Sequence, residues 1–213
     1  MTNHVQDKTI IVTGAASGFG RLICQKAISA GAKVVCADIN EGLLNTVVQE
    51  LIGAGGRAIG QHTDVSDLSQ MRGLATKAVE HFGRIDVMVN NAGVMPLAFY
   101  ADHADASAKW SQCIDINIKG VLHGIISVYD QMMAQEEGHV INISSIYGNF
   151  PVAGAGVYGA SKAAVNFLSE SLRVEARGKI KVTTVKPTGV PATGLSAGIV
   201  NPEAVIGIVG QNQ

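Results

Sequence analysis

Ile10-Ile11-Val12-Thr13-Gly14-Ala15-Ala16-Ser17-Gly18-Phe19-Gly20 runs three apolar β-formers into three glycines, and Arg21–Ala30 behind it reads as a helix. A strand–turn–helix of this kind aims free first-turn amides and the positive end of the helix dipole at one point. An anion, typically a pyrophosphate, binds there at little cost. Glycine is needed wherever a Cβ would block the tight turn, the approach of phosphate oxygens or helix-on-strand packing. In a chain with 25 glycines, three at this spacing arise by chance about 0.3 times. Context therefore decides. Lys33–Ala37 reads as a second short buried strand, and it ends in Asp38, 18 positions after Gly20. That is close to the spacing at which a carboxylate meets the ribose hydroxyls of an adenosine. The competing reading is a plain βα turn followed by a solvated aspartate.

The 213 residues suit a single domain spanning 1–213, long enough to bury a real core. Hydrophobic residues make up 47% of the chain and charged residues 15%, which argues for a compact enzyme and against a disordered segment. The net charge of −1 supplies no basic field, so neither nucleic acid nor an anionic membrane surface is expected as a partner. Cys24, Cys36 and Cys113 are odd in number, lack CxxC spacing and lie in apolar runs. They read as reduced core residues of a cytoplasmic protein. The first residues carry no apolar signal core, and no apolar run has membrane-spanning length. The histidines show no ligand spacing, so no metal site is expected.

Short β-branched runs then alternate with longer amphipathic stretches. Strands are predicted at Thr9–Val12, Lys33–Ala37, Arg57–Gln61, Ile85–Val89, His139–Ile143 and Lys179–Val185. Helices are predicted near Gly20–Ala30, Glu41–Gly53, Leu68–Phe82, Asp105–Gln135 and Val157–Arg177. Gly31, Gly53, Gly83, Gly138 and Gly178 close these stretches where a C-terminal glycine is expected. The alternation predicts an α/β fold, a doubly wound parallel sheet with helices on both faces.

Asp64, with Val65 behind it, ends the third strand beside the proposed nucleotide crevice, where an adenine contact is expected. Ser66 or Asp67 reads as the cap of the next helix. The fourth strand runs into Asn90-Asn91-Ala92-Gly93, which serves equally as a sharp strand-end turn or as a ligand contact. Val94–Tyr100 is an unusually apolar loop and reads as a pocket wall or an interface. Asn117 falls inside the long helical pattern and needs a reason there, either a solvated face or a specific polar job in the interior. Ser144 and Ser145 end the fifth strand, and Tyr158 and Lys162 share one face of the following helix at i, i+4.

In this order the motifs resemble the short-chain dehydrogenase/reductase family: Thr13-Gly14-x-x-x-Gly18-x-Gly20, Asp38, Asp64, Asn90-Asn91-Ala92-Gly93, Asn117, Ser145 and Tyr158-x-x-x-Lys162. The resemblance covers Lys8 to Val190. It implies a Rossmann fold with strand order 3-2-1-4-5-6 and a catalytic tetrad of Asn117, Ser145, Tyr158 and Lys162. Ser145 is preferred to Ser144 because it lies thirteen residues before the tyrosine. The implied cofactor is NAD. Its contacts would come from Gly14, Ser17, Gly18, Phe19 and Gly20, from Asp38 and Ile39, from Asp64 and Val65, and from Asn91, Ala92 and Gly93. Tyr158, Lys162, Pro187, Gly189 and Val190 would complete them. Thr188 stands where the family has glycine after the proline. The family also continues into a substrate lid, a further helix and a seventh strand. The chain stops at Gln213, so a substrate loop from about residue 188 is expected with its C-terminal part missing.

The residues suit hydride chemistry between NAD(H) and a secondary alcohol or ketone, in which the protein places the carbonyl and moves one proton. A free tyrosine titrates near pH 10. A lysine ammonium one turn away and a positively charged nicotinamide would lower that value toward neutrality. Lys162 would also bond the nicotinamide ribose, and Ser145 would polarise the substrate oxygen. By resemblance, Asn117 holds a water that links Lys162 to solvent. Val94, Met95, Leu97, Ile146, Tyr147, Phe150, Val152 and Val190 are candidate pocket residues; mostly apolar, they favour a hydrophobic or modestly polar secondary alcohol, or else pack under a lid. A homo-oligomer, tetramer or dimer, is expected from the resemblance together with two long helices, Asp105–Gln135 and Val157–Arg177, that carry more apolar surface than one sheet face can cover. Two other readings compete, a catalytically idle NAD-binding regulator and a nucleotide-sugar epimerase. The first should have lost Tyr158 or Lys162, and the second should carry a different glycine spacing and a longer substrate domain.

Overall fold

A computed structural model describes residues 3–188 and 194–205. Its six strands form one parallel sheet in the order β3-β2-β1-β4-β5-β6. They are β1 (Thr9–Thr13), β2 (Lys33–Asp38), β3 (Arg57–His62), β4 (Val87–Asn90), β5 (Gly138–Ile143) and β6 (Ile180–Val185). All five residues of β1 are buried. That strand pairs on both sides, with Val12 opposite Cys36 and Val89. A strand enclosed in this way reads as a continuous apolar run, here Ile10-Ile11-Val12, set between two buried threonines.

Two helices, α1 (Gly18–Ser29) and α2 (Glu41–Gly53), lay Cys24, Leu44, Val47 and Leu51 over Val12, Val34 and Cys36 on one face. On the other, α3 (Leu68–Phe82), α5 (Gly120–Gln135) and α6 (Gly156–Glu175) bury Met71, Leu74, Met132 and Leu172 against Ile11, Val35 and Met88. Coverage of both faces stops at β6. There Lys181, Thr183 and Val185 are exposed and the residues between them are at least half buried, the alternation of a strand covered on one side. Asn40 and Asp67 cap α2 and α3 through side-chain oxygens, so of the two candidate caps for α3 it is the aspartate that serves. No described helix is long and apolar enough to cross a membrane.

The long helical pattern from Asp105 is not one helix. It divides into α4 (His103–Ile114), a π turn over Asp115–Lys119 and α5. Asn117 sits fully buried inside that turn. An inserted π turn widens a helix locally and is common at functional sites.

At the opposite end of the sheet, Asp86 is 4% exposed. It accepts Thr9 N at 2.8 Å, Lys8 Nζ at 3.0 Å and Arg84 Nε at 2.9 Å. Burial alone would raise its pKa, but these donors outweigh it and hold the carboxyl below its usual value. A lowered carboxylate stabilises the fold above the unfolded pKa, and that contribution is lost as pH falls through the lowered value. Asp86→Ala should therefore cost about 1–3 kcal/mol at neutral pH, mostly through the stranded Thr9 amide, since Lys8 and Arg84 keep Glu137 as a shared partner. Thermal unfolding at neutral and acid pH checks this. The deficit should shrink in acid.

Candidate active site

The strands deliver their carboxyl ends to one edge, where a cavity of about 720 Å³ opens. Crevices at this edge are where open α/β sheets bind ligands. One half of the cavity is built by the glycine turn. Gly14 has φ 64°, and a Cβ there would come within 3.0 Å of Ala92 Cα. A Cβ on Gly20 would lie 2.0 Å from Gly14 O, and Gly20 does not line the cavity. Gly20 is thus a packing residue that lets α1 close onto the turn, a correction to its expected ligand contact. Ser17 caps α1 without a side-chain bond, so the first-turn amides are left open to the cavity that Ser17, Gly18 and Phe19 line.

Asp38 reaches this half already oriented. Its two oxygens accept Ala16 N and Asn40 N, each at 2.9 Å, and it faces the cavity beside Ile39. Asp64 accepts both Ser66 N (2.8 Å) and Ser66 Oγ (2.7 Å), and lines the wall with Val65 and with Thr63, which the sequence did not single out. Asn91, Ala92 and Gly93 line the floor. The Asn91 side chain donates to Thr13 O at 2.8 Å, so this turn is a structural clasp on β1 as well as a cavity wall. Asn90 is turned inward and donates to Asn142 Oδ1 at 2.8 Å. Pro187 and Thr188 lie on the rim; Gly189 and Val190 are outside the described residues.

The second half gathers Ser145, Tyr158 and Lys162. The i, i+4 spacing on α6 sets the Lys162 ammonium 5.8 Å from the centre of the Tyr158 ring. Lys162 Nζ donates to Ile143 O at 2.9 Å. Burial pulls the lysine pKa down to about 8. Tyr158 departs from expectation: burial pushes its phenol up, and a hydrogen bond from Ser145 only partly offsets this. Both groups sit in a dry wall where the neutral form of each is favoured, so the lysine does not by itself bring the tyrosine toward neutrality.

Asn117 does not line the cavity. Its Oδ1 accepts Val94 N at 2.9 Å, and its Nδ2 donates to Val94 O at 2.9 Å, Ser161 Oγ at 3.0 Å and Cys113 Sγ at 3.3 Å. The side chain thus pins the start of the apolar loop. One lone pair of Oδ1 stays open toward Gly93, where a Cβ would be 3.2 Å from that oxygen and 3.5 Å from Lys162 Nζ. Of the candidate pocket residues, Val94, Met95, Leu97 and Tyr147 line the cavity, whereas Ile146, Phe150 and Val152 do not. Phe150 is 47% exposed, and Val152 is buried in a small cluster with Leu97, Ala155 and Ala204. Val190 is outside the described residues. Leu195, Ser196, Ile199 and Val205 close the far wall. Their segment is held by Val200 N and Asn201 N, both donating to Leu97 O at 3.0 Å. The apolar residues spaced through it were the available sequence signal.

A family model described as short chain dehydrogenase matches residues 8–204. The chain belongs to the short chain dehydrogenase family. As members of that family are, it is an oxidoreductase. It is 34% identical over 209 residues to a cyclopentanol dehydrogenase of Comamonas sp. (strain NCIMB 9872), a match covering 97% of this chain and 82% of that protein. Its fold superposes on a short chain dehydrogenase/reductase from Burkholderia phymatum in complex with NAD, with a TM-score of 0.87 and 36% identity over 93% of this chain and 70% of that one. It also superposes on a metagenomic short-chain oxidoreductase in complex with NADP, with a TM-score of 0.80 and 35% identity over 87% and 85%. The strand order predicted from the resemblance is the one observed.

Proposed function

We propose that the chain is an NAD-dependent dehydrogenase that interconverts a secondary alcohol and its ketone, with Tyr158 as the acid/base. The observation that carries this reading is the convergence of Ser145, Tyr158 and Lys162 on one cavity with the glycine turn and Asp38. A catalytically idle regulator has no use for a buried lysine beside a buried tyrosine. The residues fit the cofactor, because Gly14 leaves a space that a Cβ would fill against Ala92 and the first-turn amides of α1 are uncapped. These amides would hold the pyrophosphate, Asp38 the adenosine ribose, Asp64 and Val65 the adenine, and Lys162 the nicotinamide ribose. Asn91, Ala92, Gly93 and Pro187 would flank the nicotinamide half. Bound NAD supplies the hydride acceptor.

The chain's own part is the proton. In oxidation Tyr158 Oη takes the proton of the substrate hydroxyl, and Ser145 holds the same oxygen and tempers the phenol. Lys162, with a pKa of about 8, is close enough to working pH to share the proton. Asn117 Oδ1 offers a place for a water beyond it. A panel of secondary alcohols and ketones, assayed by nicotinamide absorbance with NAD and with NADP, tests the reading. No turnover of any would sink it.

NAD is favoured over NADP because a 2′-phosphate would meet the Asp38 carboxylate, while Ser17 and Ile39 offer no compensating charge. Asp38→Ala should lower kcat/KM for NAD by about 10–100-fold, the worth of hydrogen bonds to a charged group. It should lower that for NADP less. Equal wild-type kcat/KM for the two cofactors would refute the assignment. The reading includes a homo-oligomer in the cytoplasm. Exposed Phe167 and Val174 on α6, with Ile114, Leu122 and Ile126 on α4 and α5, support assembly. Light scattering should give a mass above that of the monomer.

A further inference from the structure

Beyond Ser145 the cavity wall is mostly apolar, formed by Val94, Met95, Leu97, Leu195 and Ile199, with Ser196 on its far side. Tyr147 interrupts it. The residue follows Ser145 by two positions in a short 3-10 turn, and its backbone N–H donates to Ser145 Oγ at 3.3 Å. Its ring is half-buried, wedged edge-on to Phe150 with centroids 6.3 Å apart, and packs on the cluster of Leu97 and Val152. The turn and the packing fix the ring, so the hydroxyl is held in place on the wall it lines. Among the described residues nothing hydrogen-bonds that hydroxyl. Burial keeps the phenol neutral by raising its pKa. It is also near enough to Tyr158 that a charge on one disfavours charge on the other.

A neutral hydroxyl beside the reacting centre, with no partner of its own, is costly to desolvate unless the substrate supplies an oxygen. Lys162 is the one cationic side chain among the described lining residues, and it is committed to Ile143 O and, on the proposed reading, to the nicotinamide ribose, so no cation is left to receive an acid. The oxygen it matches is therefore uncharged. We infer that Tyr147 is a specificity-determining residue that bonds a second, neutral oxygen on the substrate, so that the enzyme prefers a vicinal diol or hydroxyketone to the simple alcohol. In diol oxidation one hydroxyl gives its proton to Tyr158 and its carbon gives a hydride to NAD, forming the hydroxyketone. The neighbouring hydroxyl stays bonded to Tyr147.

This inference rests on the proposed alcohol chemistry, and the test separates the two. The kcat/KM values for cis- and trans-cyclohexanediol and for cyclohexanol are measured with NAD on the wild type and on Tyr147→Phe, which keeps the packed ring. The diol-over-alcohol ratio should fall about three- to tenfold in the variant, the worth of one neutral hydrogen bond. Diol affinity by calorimetry in the presence of NAD, measured in a Tyr158→Phe background with and without Tyr147→Phe, should fall by a similar factor. If the diols and cyclohexanol are oxidised with the same ratio in the two proteins, the role of Tyr147 is overturned and the dehydrogenase reading survives. If none of the three is oxidised while other alcohols of the wider panel are, the role of Tyr147 alone is overturned; if nothing in that panel turns over with either cofactor, both are overturned.

Discussion

Tyr158→Phe should lower turnover by at least about 10²-fold while leaving the fold and NAD affinity nearly unchanged. It removes one hydroxyl from a residue that is 4% exposed and keeps the ring that packs there. General acid–base catalysis contributes about 10²–10⁴-fold, which sets the size of the loss. The direction of the pKa shift adds a pH signature. Because burial raises the phenol, wild-type alcohol oxidation should speed up as pH rises and phenolate forms. Ser145 is the partner that lowers the same phenol. Ser145→Ala should therefore move the rising limb to higher pH as well as slow the reaction, which a serine acting only on substrate would not do. The measurement is kcat/KM against pH for the three proteins, beside NAD titration. A Tyr158→Phe enzyme that kept more than about a tenth of wild-type turnover would take the proton away from this residue.

The parts of the molecule legible in the sequence are those written as local pattern. Ile10–Val12 and Val34–Ala37 are apolar without alternation, as a doubly covered parallel strand requires, and their strands occupy interior positions of the sheet. Tyr158 and Lys162 declare their common face by spacing alone. What was not legible depends on distance through space. The π turn at Asp115–Lys119 adds too little to disturb a 3.6-residue apolar period, so α4 and α5 read as one helix. Gly20 has the signature of a phosphate contact, yet its need for glycine comes from a carbonyl six residues back. The direction of the Tyr158 shift could not be read either. A lysine at i, i+4 argues for a lowered phenol, and only the burial of both side chains reverses that. For Asn117 a solvated face and a polar job in the interior are equally open from spacing, and the buried clamp on Val94 is the second.

Lys162 should make the protein less stable than it need be, in a way that pH reveals. The residue is 5% exposed, and burial lowers its pKa from 10.5 to about 8. Between those values the unfolded chain binds a proton that the folded one does not, so stability rises with pH across that window. Below about pH 8 the folded protein must hold the charge in a dry wall, and the full penalty applies. Two and a half units correspond to about 3 kcal/mol, an upper figure because the hydrogen bond to Ile143 O recovers part of the cost. Lys162→Met should remove the penalty and the activity together, and it strands that carbonyl at any pH. The informative quantity is therefore the stability difference between variant and wild type at two pH values. It should move in favour of the wild type by up to about 3 kcal/mol from neutral pH to above 10. Denaturant unfolding of both proteins at each pH measures it. A difference that stays flat across the window would mean that Lys162 is not perturbed by burial. Its role would then have to rest on the ribose contact alone, visible as weakened NAD binding with no shift in the pH profile of any remaining turnover.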